Sequence, residues 1–212
     1  MDILASLRRA VTEGDDIAAE KLARQAVEAN LPVNEILQHA VMGGIRDAGE
    51  LWQRNEYFLP DMVMSAEAFR KALTLLEPLL SKGEQSYTGR YLIGTVAGDM
   101  HDLGKMIVVA MLRGAGFEVI DLGEDVPRET FIEKARELRP DILGLGCYMT
   151  TTMDEVAAIV HVVKSGDLKN KLAVMVGGVP TSQDFADQIG ADAWGKDALD
   201  AVTKSRWLVK MK

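Results

Sequence analysis

Gly98-Asp99-Met100-His101-Asp102-Leu103-Gly104-Lys105 stands between the apolar run Tyr91 to Val96 and the apolar-periodic run Met106 to Leu112. The first run reads as a buried strand and the second as a helix, so the octapeptide is a strand-to-helix loop. In an open parallel sheet, ligands bind outside the carboxyl ends of the strands, and this is the first such end in the chain. Asp99 precedes His101 by two positions, close enough for its carboxylate to take one ring N–H and fix the tautomer and basicity of the other nitrogen. On residue types alone, a metal ligand, an acid or base, and plain turn chemistry all remain open.

Downstream of this loop, short apolar runs alternate with helical segments. The runs are Tyr91 to Val96, Phe117 to Asp121, Ile142 to Gly146, Leu172 to Val176 and Ala191 to Trp194; helices are expected near 104–114, 128–138, 152–165, 182–189 and 197–208. Such alternation predicts a five-stranded parallel α/β domain. By itself it equally allows a flavodoxin or a receiver domain.

Upstream the pattern is helical throughout. Ile3, Leu4, Leu7, Ala10 and Val11 follow one helical stripe, with Gly14 as a stop and Asp15 as the next cap. A second helix is expected from Asp16 to Ala29. Pro32 suits the first turn of a third, whose stripe runs through Ile36, Leu37, Ala40, Val41, Gly44, Ile45, Ala48, Leu51 and Trp52. A fourth is expected from Leu59 to Leu80. Four helices with short connections make an antiparallel bundle. Ser81 to Gly89 is the linker-like stretch, which sets the expected domains at 1–85 and 86–212. His39, on the third helix, reads as a structural or surface residue, and His161, on the helix after the third strand, as a surface residue.

Composition narrows the function. The formal net charge of −8 argues against a nucleic-acid partner, because phosphate contacts need clustered Lys and Arg. A single cysteine, Cys147, excludes an internal disulfide and a thiolate metal cage, and reads as a small buried apolar residue. No apolar run approaches the roughly 20 residues needed to span a bilayer. With no signal-peptide pattern at Met1 to Ala10, the expected location is cytoplasmic, without a membrane partner.

Spacing then adds a resemblance. Forty-one residues separate Gly104 from Gly146-Cys147-Tyr148, and 28 more precede Gly177-Gly178. This resembles the D-x-H-x-x-G, S-x-L, G-G signature of cobalamin-binding domains, as in cobalamin-dependent methionine synthase and the corrinoid proteins of methyltransferase systems. The middle element departs from it: Gly146 stands in place of Ser and Tyr148 in place of Leu. Met149-Thr150-Thr151-Thr152-Met153 is similar to the Thr-rich continuation of the corrinoid proteins. Gly49 to Pro60 resembles their segment leading into a helical cap. The resemblance covers almost the whole chain and implies a four-helix cap followed by a Rossmann-like, flavodoxin-like cobalamin domain.

It also implies roles for particular residues. His101 would displace the cofactor's dimethylbenzimidazole and become the lower axial ligand of cobalt, with Asp99 orienting it. Met100, Asp102, Gly104, Gly146 and Tyr148 would line the cofactor beside them. Gly177-Gly178 would make room for the displaced nucleotide tail, and Thr150 and Thr152 would offer hydroxyls to it. Trp194 and Gly195 lie in a closing segment beside that tail. In the family a Ser continues the proton relay from the Asp. Gly146 cannot, so water or a nearby Thr substitutes, or the relay ends at Asp99. Tyr57, Phe58, Met62 and Val63 are the lid candidates.

The function so implied is a corrinoid methyl carrier, without a methyl-donor site of its own. It would accept a methyl group on Co(I) from a donor-specific methyltransferase and pass it to tetrahydrofolate or a thiol through a second methyltransferase. A reductive activator of Co(II) would be a third partner. Two rivals share parts of the pattern. A cobalamin-dependent sensor carries a Trp followed ten and eleven residues later by Glu-His, whereas Trp52 is followed there by Met62-Val63. The small subunit of a cobalamin mutase normally lacks the cap.

Overall fold

The computed structural model describes residues 2–79 and 87–210. Most of the expected linker, Ser81 to Gly89, lies outside the described residues. The chain divides into two compact units: Met1–Ser86 with Arg113–Ala115, and Tyr87–Leu112 with Gly116–Lys212.

The first unit is helical. α1 (Ile3–Glu13) starts at Asp2, whose carboxylate accepts the N–H groups of Leu4 and Ala5, and stops at Gly14 in the left-handed region at φ 72°. A side chain at Gly14 would also put its β-carbon 2.4 Å from that of Met64, so both conformation and space require glycine. Asp15 caps α2 (Asp16–Glu28) by accepting the Ala18 N–H. Ala19, Ala23 and Ala26 on α2 are fully buried, and their small side chains let α2 pack along α5 (Leu59–Leu76).

The third expected helix is continuous but not uniform. α3 (Val33–Glu35) passes into a π-helical segment, Ile36–Val41, and then into α4 (Met42–Gln53). The wider turn keeps Ile36, Leu37, Ala40 and Val41 buried together with Ile45 and Ala48. Gly44 then lies against α1, where a β-carbon would meet the Arg8 carbonyl oxygen at 2.6 Å, and Thr12 Oγ1 donates to the Gly44 carbonyl. Met62 is fully buried within this unit and Phe58 is exposed. Of the lid candidates, the bundle core therefore claims Met62 outright.

The second unit is a five-stranded, wholly parallel sheet in the order β2-β1-β3-β4-β5. Its elements are β1 (Arg90–Thr95), α6 (Leu103–Gly114), β2 (Glu118–Asp121), α7 (Arg128–Leu138), β3 (Ile142–Gly146), α8 (Met153–Ser165), β4 (Ala173–Gly177), α9 (Gln183–Ile189), β5 (Ala193–Gly195) and α10 (Ala198–Lys210). Leu143, Leu145, Val174 and Val176 on one face and Ile142 and Met175 on the other are buried, as strands covered on both faces require. Each such side chain contributes roughly 1.5–3 kcal/mol of burial. Strand order reverses between β1 and β3, so the crevice outside their carboxyl ends is where this topology accepts a ligand.

Candidate functional site

The register carries one unplanned consequence of these strand ends. Thr95 pairs with Gly146, Gly146 with Gly177, and Gly177 with Gly195. Four neighbouring strands thus end in one row, three of whose members have no side chain. On Gly195 a β-carbon would meet Ala201 of α10 at 3.2 Å, so the bare row lies on the face that α10 covers.

The loop after β1 is tied down by its own polar groups. Gly98 takes φ 81°, its N–H donating to Asp125 Oδ1 at 2.7 Å, and the Asp125 N–H returns to the Asp99 carbonyl at 3.0 Å. These turns carry Asp99 fully inside, with no exposed surface. Its Oδ1 accepts the His101 backbone N–H at 3.1 Å and stands 2.7 Å from His101 Nδ1. Its Oδ2 accepts the Tyr148 N–H at 2.6 Å. Burial works to raise the Asp99 pKa, but the hydrogen bonds from Tyr148 and His101 outweigh it and hold the carboxyl below the ordinary aspartate value.

His101 has the opposite exposure. Its side chain is 62% accessible, while Nδ1 is held by the buried carboxylate and the backbone carbonyl accepts the Thr95 hydroxyl at 3.0 Å. Fixing Nδ1 as the protonated nitrogen leaves Nε2 as the lone-pair atom directed away from Asp99. Among the described residues no group of three or more His, Cys, Asp or Glu could cage a bare ion. A single presented imidazole suits instead a metal that arrives already chelated and needs one axial ligand.

Of the ways left open to continue the hydrogen-bond chain past Gly146, the geometry offers a threonine. Thr152 is buried, with Oγ1 3.4 Å from Asp99 Oδ2, 3.0 Å from the Met149 carbonyl and 3.4 Å from Cys147 Sγ. Cys147 is fully buried, as its isolation in the sequence implied, and burial raises its thiol pKa. Thr150 and Thr151, in the same 3₁₀ turn, are exposed.

The remaining expected residues fall around the same edge of the sheet. Met100 is exposed, 67% accessible, with Asp102 beside it. Gly177 accepts the Cys147 N–H on its carbonyl at 2.9 Å. At Gly178, φ is 119° and a β-carbon would fall 1.8 Å from the Cys147 carbonyl oxygen, so only glycine fits. Trp194 Nε1 donates to Thr181 Oγ1 at 2.9 Å, and that hydroxyl donates to the Gly178 carbonyl at 2.6 Å. The closing segment is thereby fastened to the Gly-Gly turn. His39 and His161 are both exposed.

One ion pair went unread in the sequence. Lys105, 5% accessible, places its ammonium 2.6–2.7 Å from both carboxylate oxygens of Asp121. The Tyr148 ring lies beside the imidazole, with centroids 6.1 Å apart and planes at 37°. Burial, with Asp99, Asp102 and Asp121 adding to it, pushes the Tyr148 pKa far up and keeps the phenol protonated. Tyr148, a cofactor-binding candidate from its place in the resemblance, thus stands next to His101, whereas the ion pair had no signal in the sequence.

The presented imidazole at this edge of the sheet fits a chelated metal that needs one further ligand. Comparison with known proteins names the family. The B12 binding domain family matches residues 89–203, and a second family with the same description matches residues 3–77. The chain belongs to the cobalamin-binding corrinoid proteins, and cobalamin is its cofactor.

A corrinoid protein of Desulfitobacterium hafniense strain Y51 is 42% identical over 205 residues, 95% of each chain. Trimethylamine corrinoid protein 2 of Methanosarcina acetivorans is 39% identical over 211 residues, 99% of this chain and 97% of that one. Among solved structures, a cobalamin-binding protein from D. hafniense DCB-2 covers 98% of both chains at 31% identity and a TM-score of 0.70. A chain of the methanol:cobalamin methyltransferase complex of Methanosarcina barkeri gives 0.83 at 27% identity, over 100% of this chain and 81% of that one. No helix among the described residues is long and apolar enough to cross a membrane.

Proposed function

We propose that the chain is a methyl carrier, which takes a methyl group from one methyltransferase and yields it to another. The observation that carries this reading is the Asp99–His101 pair: a buried carboxylate fixing an exposed imidazole, in a chain that matches trimethylamine corrinoid proteins end to end. The bound cofactor supplies the cobalt to which a methyl group is reversibly attached. His101 Nε2, the ring nitrogen left free by Asp99, would hold that cobalt. Asp99 sets the imidazole's orientation and shares the Nδ1 proton, so the ligand's basicity follows the carboxylate. Thr152 sits behind that carboxylate as the next hydroxyl. Gly104 and Gly146 flank the Tyr148 ring, Gly177, Gly178 and Gly195 continue the same sheet edge, and Met100, Asp102, Thr150 and Trp194 would complete the contacts with the cofactor.

The partners in this reading are a donor-specific methyltransferase, an acceptor methyltransferase acting on tetrahydrofolate or a thiol, and a reductive activator. The family matches at 3–77 and 89–203 support a division near residue 85 into a cap and a cobalamin domain. The test is anaerobic: corrinoid-loaded protein is chemically reduced, then mixed with a candidate methyltransferase and its methylamine, betaine or methoxyarene. Methylation of the cofactor, followed by absorbance, supports the carrier. If no methyltransferase acts, while adenosylcobalamin and light change the oligomeric state, the protein is a sensor.

A further inference from the structure

Tyr148 occupies the crevice itself. A β-carbon on Gly104, in the first turn of α6, would lie 2.8 Å from Tyr148 Cε1 and 2.9 Å from its hydroxyl oxygen. On Gly146, the last residue of β3, it would lie 3.4 Å from Cε2. Opposite edges of one ring therefore rest on two glycines, one in the helix and one in the bare row at the sheet edge. Among the described residues the Tyr148 hydroxyl has no hydrogen-bond partner, so no polar contact holds the ring in this position. Its backbone is anchored all the same, since the Tyr148 N–H is bound to Asp99. With its backbone bonded and its ring held by packing alone, Tyr148 can turn about χ1 as a plug without breaking the Asp99 bond.

We propose that Tyr148 closes the space between Gly104 and Gly146 and sets which corrinoids enter: a cofactor carrying a nucleotide base must turn the ring out, whereas one without a base need not. The inference rests on the site assignment made above, not on the methyl-carrier reading. The Tyr148 ring fills this space, and a smaller Leu side chain would leave part of it open. The cost of turning the ring out falls on the base-bearing ligand alone, and appears as weaker binding by the fraction of chains in the open state.

The test titrates the corrinoid-free full chain with hydroxocobalamin and with hydroxocobinamide, which lacks the nucleotide. Tyr148→Leu should tighten cobalamin binding at least tenfold relative to cobinamide, and Tyr148→Phe should behave as the wild type, because the ring and not the hydroxyl fills the space. An unchanged ratio in the Leu variant overturns the proposal, as does selective loss of cobalamin affinity, which would make the ring a platform for the base. A second measurement does not depend on the Leu variant folding. Of the chain's four tyrosines, the fluorotyrosine resonance that disappears in Tyr148→Phe should shift with cobalamin much more than with cobinamide; equal shifts also overturn it. Spectra of protein carrying isotopically labelled histidine report separately whether the corrinoid sits on His101. If it does not, the site assignment fails, and the plug with it.

Discussion

Thr152 Oγ1 lies 3.4 Å from Asp99 Oδ2, joining two residues 53 positions apart behind the presented imidazole. The contact is long, and the Thr152 hydroxyl has a nearer acceptor in the Met149 carbonyl at 3.0 Å. Thr152→Val should therefore cost little stability, about 1 kcal/mol. Asp99→Asn should cost more, about 2–3 kcal/mol, because it removes the charge that two N–H groups and an imidazole address. Urea unfolding of the corrinoid-free variants checks the order; a Thr152 variant that is the less stable of the two contradicts it.

The glycines at the sheet edge should separate sharply. Gly178→Ala sets a β-carbon 1.8 Å from the Cys147 carbonyl oxygen at a φ of 119°, and a loss of at least about 3 kcal/mol or a failure to fold is expected. Gly146→Ala sets its β-carbon at ordinary contact distances of 3.4 Å and should fold with a stability near that of the wild type. Thermal unfolding of the two variants side by side decides this.

The Lys105–Asp121 pair predicts an asymmetry. Asp121→Asn leaves a nearly inaccessible ammonium without its counter-charge and should cost about 3 kcal/mol. Lys105→Met removes the buried charge, and the Asp121 carboxylate it leaves is 28% accessible and still accepts the Gly123 N–H. The Met variant should be the more stable of the two in denaturant titrations.

Much of this arrangement was legible and some was not, for identifiable reasons. Strand β3 and helices α7 and α8 stand within a residue of their expected bounds, because each is an apolar run or stripe ended by turn residues. The π-helical segment at Ile36–Val41 was not, since one wider turn barely disturbs a hydrophobic stripe. In Thr150-Thr151-Thr152, residue type cannot say which hydroxyl points inward; the 3₁₀ turn selects Thr152. The bare row needs strand register, which aligns Gly146, Gly177 and Gly195 across three strands. The fit of Tyr148 between two glycines depends on a rotamer, which spacing does not encode.

Asp200 gives a pH prediction. Burial acts to raise its pKa, but the Lys204 ammonium at 2.8 Å and the Lys196 N–H at 3.1 Å prevail and bring it below the usual 3.8. A carboxylate depressed in the folded state stabilises fully above its unfolded pKa and loses that contribution as pH falls through the folded value. The stability difference between wild type and Asp200→Asn should therefore be constant from pH 7 to about 5 and shrink progressively as the pH falls below about 4. Its size should stay under about 1 kcal/mol, the range of partly exposed pairs. Unfolding midpoints across this pH range test it; a difference that grows on acidification has the wrong sign.

His101 and Asp99 should part company when stability and ligation are measured together. The imidazole is 62% accessible and buries little, so His101→Ala forfeits its ring contact with Asp99 Oδ1 but keeps the backbone N–H of residue 101 on the same oxygen. The Tyr148 N–H on Oδ2 is also untouched. The buried carboxylate thus retains a donor on each oxygen, and the unfolding midpoint of the corrinoid-free variant should change by less than about 0.5 kcal/mol, as for an exposed side chain. Ligation should respond in full, because no other His lies within the 98–105 loop and the described His39 and His161 belong to other elements. With hydroxocobalamin and isotopically labelled histidine, the wild type should show histidine nitrogen coupled to cobalt and His101→Ala should show none. Asp99→Asn should give the converse result, a destabilised chain whose imidazole still reaches the metal in a less fixed orientation. Coupling to the dimethylbenzimidazole nitrogen in the wild type would remove His101 from the axial position and leave the Asp99 pairing as a structural hydrogen bond.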